Sequence, residues 1–122
     1  MLTYQILENE NIVVIEPKGP LSEADFRDLT RDVDLHLVRT GTLKGVLIHA
    51  TAFPGWDSFG SMIGHLRFVR DHHRLIEKVA LASDSAIATV MPKLVDHFVG
   101  AEVIGFAFDE RDEAMAWLMR TN

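Results

Sequence analysis

Apolar positions along the chain fall into short β-branched runs separated by longer stretches in which they recur every three or four residues. Tyr4-Gln5-Ile6-Leu7 predicts a first strand, and Glu8-Asn9-Glu10-Asn11 a hairpin turn. Ile12-Val13-Val14-Ile15 predicts a second strand, ended by Pro17 and Gly19. Ser22 caps a predicted helix, with Glu23 and Asp25 at the positive end of its dipole, a stripe of Phe26, Leu29, Val33 and Leu37, and Gly41 at its end. Val46-Leu47-Ile48 is a continuous apolar run, the pattern of a strand buried on both faces. Phe59, Met62, Ile63, Leu66 and Val69 share one face of a predicted second helix, and Val79-Ala80-Leu81-Ala82 forms a short buried strand. Ile87, Val90, Met91, Leu94 and Phe98 make the stripe of a third helix, which Pro92 kinks or starts. Val103 to Phe108 is the last strand. Asp109 is expected to cap a fourth helix, with Asp112 three residues on and Ala114, Trp117 and Leu118 buried.

This alternation predicts a single α/β domain over residues 1–122, with a central five-stranded mixed, mostly parallel sheet and four helices. The first two strands form an antiparallel edge. One core of ordinary size suits 122 residues, 48% of them apolar and 25% charged. No window reaches 18 apolar residues, and Met1-Leu2-Thr3-Tyr4 lacks the design of a signal peptide, so a cytoplasmic protein is expected. The absence of cysteine excludes disulfides, thiolate metal sites and cysteine nucleophiles. A net charge of -6 argues against nucleic acid as a partner. The charge is uneven: acid gathers in Glu23–Asp34 and Asp109–Glu113, base between Arg67 and Arg74.

Candidate chemistry concentrates in Phe53-Pro54-Gly55-Trp56-Asp57-Ser58-Phe59-Gly60 and the helix it opens. Phe53, Trp56, Phe59, Met62 and Ile63 either plug the core beneath this loop or line a ligand pocket, with Met91, Leu94 and Phe98 facing them from the next helix. Trp favours membrane interfaces and Met adapts to varied ligands. Gly55, Gly60 and Gly64 weaken the helix start by about 1 kcal/mol each relative to alanine, as a movable lid requires. The run His65, Arg67, Arg70, His72, His73, Arg74 is either a solvated helix end or a contact for anionic headgroups, worth about 1 kcal/mol per base. Phe68 sits among the arginines on the face opposite the core stripe, so Arg67, Phe68, Arg70 and Arg74 are the candidate membrane contact.

No metal site is expected. His72 and His73 diverge by about 100° on a helix, and His65 and His72 stand about 10 Å apart. Gly-x-Ser-x-Gly is missing, and Gly55-x-x-x-x-Gly60-Ser61 lacks the lysine of a phosphate loop. No cofactor and no catalytic residue are expected.

Phe53-x-Gly55-Trp56 after the third strand, His72-His73 before Ile76-Glu77-Lys78-Val79-Ala80, and Ala114-Met115-Ala116-Trp117-Leu118 near the end resemble the bacterial SpoIIAA-like proteins over nearly the whole chain. The resemblance implies the STAS-type fold of anti-sigma-factor antagonists, with a topological similarity to CRAL-TRIO lipid carriers. It also implies a small cytoplasmic protein without enzymatic activity, one that touches the inner membrane surface and holds a lipophilic ligand between two mobile helices. In anti-sigma-factor antagonists an Asp-Ser pair at this junction carries the phosphorylated serine. Asp57-Ser58 makes Ser58 a candidate phosphosite or simply a helix cap, although Phe53-Pro54-Gly55-Trp56 lengthens the loop before it. A lipophilic ligand, an anionic membrane surface and a second copy of the chain are the expected partners.

Overall fold

A computed structural model describes residues 2–18, 22–50, 76–84 and 101–120, except the side chains of Glu23 and Phe26. Five strands form one sheet in sequential order: β1 (Leu2–Leu7), β2 (Ile12–Pro17), β3 (Leu43–Ala50), β4 (Ile76–Ser83) and β5 (Glu102–Phe106). β1 and β2 pair antiparallel, and β2 through β5 are parallel. The expected mixed, mostly parallel sheet is therefore present. Two helices are described, α1 (Glu23–Thr40) and α2 (Arg111–Met119). The expected helices after Phe53–Gly60 and around Met91 lie outside the described residues.

β3 and β4 carry apolar side chains toward both faces, so each face builds its own core. On one face Val13, Ile15, Val46, Ile48, Val79 and Leu81 pack with Leu29 and Val33 of α1. On the other, Ile12, Val14, Leu47, Ala80 and Ala82 pack with Ala114, Trp117 and Leu118 of α2. Ala80 and Ala82 are small because α2 lies close, and Gly45 is smaller still: a Cβ there would stand 2.7 Å from Leu118 Cδ2.

Local chemistry sets the ends of α1. Ser22 Oγ accepts from Asp25 N (3.2 Å) and Asp25 Oδ2 accepts from Ser22 N (3.0 Å), a reciprocal capping box. That Ser22 N–H, above all, holds the Asp25 carboxyl below its usual range. Gly41 ends the helix at φ +80°, giving its N–H to Leu37 O at 2.8 Å.

The start of α2 corrects two expectations. β5 stops at Phe106, and Phe108–Glu110 forms a turn of 3₁₀ helix before α2 begins at Arg111. Asp109 therefore lies inside that turn and does not cap the helix. Glu110 is the acid that reaches back, accepting from Ala107 N at 2.7 Å. A tight first turn brings the carboxylate three residues on, at 110, to the open N–H of Ala107, so the cap-and-acid pair is 107 and 110, two residues before the expected 109 and 112. At the other end, Lys78 is buried and gives Nζ to Trp117 O and Arg120 O, both at 3.0 Å, while lying 5.1 Å from the Trp117 ring centroid. It adds a donor to Trp117 O, which also accepts from Arg120 N at 3.3 Å, and supplies one to Arg120 O beyond the helix end.

Candidate functional site

The parallel strands converge on one edge, where Pro17, Ala50, Ser83 and Phe106 end β2, β3, β4 and β5. Ligands of open α/β sheets bind outside such carboxyl ends. β3 and β4 stay in register to the last pair, Ala50 with Ser83. The two segments holding the predicted apolar and cationic residues, 51–75 and 85–100, thus leave the sheet from neighbouring points. Phe53, Trp56, Phe59, Met62, Ile63, Met91, Leu94, Phe98, the contact residues Arg67, Phe68, Arg70 and Arg74, and Ser58 all lie outside the described residues.

On the described side of this edge stands His49, the one polar side chain in Gly45-Val46-Leu47-Ile48-His49-Ala50. Its ring stacks on Phe108, with centroids 4.2 Å apart and planes 7° from parallel. Nε2 lies 3.1 Å from Phe108 O, which only accepts, so Nε2 carries a proton. Nδ1 faces Glu16 Oε2 from β2 at 3.6 Å and is buried without a hydrogen bond. The imidazole thus pins the β5–α2 turn against β3. The Nε2 bond fixes the tautomer and leaves the Nδ1 lone pair toward Glu16. Sequence reasoning passed over this cluster; a lone histidine in an apolar strand was the signal that could have found it.

A surface groove of about 300 Å³ runs between β1 and α1, lined by Tyr4, Ile6, Glu8, Asp32, Leu35 and Arg39. Tyr4 gives its hydroxyl proton to Asp32 Oδ2. Burial first, then that bond and the Asp32 charge, push the phenol up to about 12, and the same bond draws the Asp32 carboxyl down. Arg39 Nη2 meets Glu8 Oε1 at 2.6 Å. Among the described residues no group of three or more His, Asp or Glu is placed to hold a metal ion, and no helix is long and apolar enough to cross a membrane.

A single sheet with an antiparallel first hairpin, four parallel strands in sequential order and a helix on each face defines a small α/β domain of the kind expected for a STAS-type module. The SpoIIAA-like family model matches residues 12–119, and the chain belongs to the SpoIIAA-like family. No curated protein and no solved structure matches it.

Proposed function

We propose that this protein is a non-enzymatic binding module that takes a small lipophilic ligand between segments 51–75 and 85–100 and associates peripherally with the inner face of an anionic membrane. The supporting observation is the Ala50–Ser83 pair: two apolar-rich segments start side by side on a rigid parallel sheet, from the edge where such sheets receive ligands. Phe53, Trp56, Phe59, Met62, Ile63, Met91, Leu94 and Phe98 form the lining in this reading. Arg67, Phe68, Arg70 and Arg74 meet the headgroups. The topological similarity to CRAL-TRIO carriers, implied by resemblance alone, agrees with a lipophilic cargo in a cytoplasmic protein.

Sedimentation with anionic and neutral vesicles at low and moderate salt tests the reading. Salt-sensitive binding to anionic vesicles, lost in Trp56→Ala, is the expected result. Absence of binding at every salt concentration, together with absence of bound ligand by native mass spectrometry, would overturn it.

The family match supports the coarser part of a second reading, an interaction module of the anti-sigma-antagonist type; the switch in that reading is phosphorylation at Ser58, suggested by the Asp57-Ser58 pair alone. Ser58→Asp separates the two. In the second reading it changes affinity for a partner protein while vesicle binding is nil; in the first it leaves cargo retention intact.

A further inference from the structure

β1 is the outer strand of the sheet, and its own sequence carries none of the charges, prolines or bulges that protect an edge. Leu2 to Leu7 contains no charge and no proline, and its register with β2 runs unbroken from Leu2–Pro17 to Leu7–Ile12, without a bulge. Beside this edge α1 presents Asp28, Asp32, Leu35 and Arg39, spaced by four, three and four residues and so sharing one flank. Leu35 is 59% exposed.

The flank has a direction. Two acids stand at its start, a leucine at its middle and a base at its end. Asp32 is level with Tyr4 and Arg39 with Glu8, so α1 and β1 run the same way and the midpoint between Asp28 and Arg39 falls level with Gln5. A two-fold axis at Gln5 would pair β1 antiparallel with its own copy. The same axis would set Arg39 against the copy's Asp28 and each Leu35 beside the copy's Asp32, with the two leucines flanking the dyad. Asp28 and Arg39 are 55% and 62% exposed, and the bond to Glu8 uses one of the five donors of the guanidinium. A parallel arrangement would instead set acid against acid.

We infer that the β1 edge and the Asp28–Arg39 flank of α1 are the interface of a symmetric homodimer, joining two sheets into one of ten strands. The occupant is a second copy because only a self-complementary partner matches both the antiparallel edge and the reversed charges. The inference is independent of the lipid reading, which concerns segments 51–75 and 85–100.

Sedimentation velocity of the full chain over a dilution series tests it. The wild type sediments at twice the 13.7 kDa chain mass at high concentration. Leu35→Asp, at an exposed position that leaves folding intact, raises the dissociation constant about tenfold or more. Arg39→Asp weakens the dimer, and combining it with Asp28→Arg restores it. A monomer throughout would overturn the inference. So would a dimer indifferent to Leu35→Asp and Arg39→Asp, or a double variant no tighter than Arg39→Asp alone.

Discussion

The two ends of the parallel sheet are built on opposite plans, one around the buried His36 and the other around the partly buried His49. At the amino end, Asn11 sits at φ +60° in the hairpin turn and ties four segments together. Its N–H goes to Leu7 O (2.8 Å), its carbonyl accepts from Lys44 N (3.0 Å), its amide donates to Thr42 O (2.8 Å), and its Oδ1 lies 2.5 Å from His36 Nε2. Because the Asn11 amide nitrogen is spent on a carbonyl, Oδ1 faces the ring, so Nε2 carries the proton and Nδ1 is buried without a partner. Thr40 Oγ1 adds bonds to His36 O (2.9 Å) and Thr42 O (3.0 Å). At the carboxyl end His49 has one main-chain bond, a stacked ring and a carboxylate beyond hydrogen-bond reach. The first end is closed by short-range bonds of fixed geometry. Among the described residues, the second is tied around His49 by one main-chain bond and a stacked ring, beside the points where 51–75 and 85–100 leave the sheet. Among the described residues, short-range side-chain bonds therefore gather at the amino end of these strands, and the proposed binding segments leave from the other.

The largest test of this contrast is Asn11→Ala. It removes two side-chain bonds, leaves His36 Nε2–H buried without an acceptor and places a Cβ residue in the left-handed region. A loss of about 4 kcal/mol is expected by urea unfolding. Asn11→Gly keeps the backbone relaxed and is expected to cost about 1 kcal/mol less. Equal, small losses from both would mean that the amino end is not locked by this residue.

The next effect is on pH dependence. Burial first, then the Arg39 charge, hold His36 below its ordinary 6.5, with Glu8 opposing weakly. The unfolded chain then binds a proton that the folded chain refuses. The stability contribution is complete above about pH 6.5 and is lost as the pH falls from there toward the folded value, at no more than roughly 1.4 kcal/mol per pH unit. Urea midpoints between pH 7.5 and 5 should fall in the wild type and fall less in His36→Gln. Parallel profiles would contradict the neutral, proton-refusing histidine.

Much of this contrast was legible in the chain, and what was missed has a common cause. Ile12–Ile15, Val46–Ile48 and Val79–Ala82 marked their strands because β-branched and apolar residues without polar interruption suit strands buried on both faces. Ser22 and Gly41 marked α1 because caps are local. The Asn11–His36 and His49–Phe108 pairings join residues 25 and 59 positions apart; a lone histidine in the apolar run of β3 marks His49 as unusual, but no local pattern names either partner. The helix start at Arg111 was misplaced because Asp109, Glu110, Asp112 and Glu113 are all acceptable near a helix N-terminus. Only the Ala107–Glu110 bond chooses among them. The apolar loop and cationic run were the clearest functional signals in the sequence and fall on residues outside those described, so that reading rests on the anchoring of their ends.

The smallest effect sharpens the contrast from the carboxyl end. Glu16 Oε2 stands 3.6 Å from His49 Nδ1, too far for a hydrogen bond, and its side chain is 37% exposed. Solvent screens a charge in that position, so Glu16→Gln should cost well under 1 kcal/mol, against the several expected at Asn11. Its effect should also be local. Amide exchange should quicken around His49 and the Phe108–Glu110 turn while exchange in α1 and at Asn11 stays unchanged, because among the described residues no side-chain hydrogen bond joins the two clusters. A loss approaching that of Asn11→Ala, or faster exchange at the Asn11 end, would show that the carboxyl rim is fixed as firmly as the amino end, and the rigid-sheet, adaptable-rim division would fail with it.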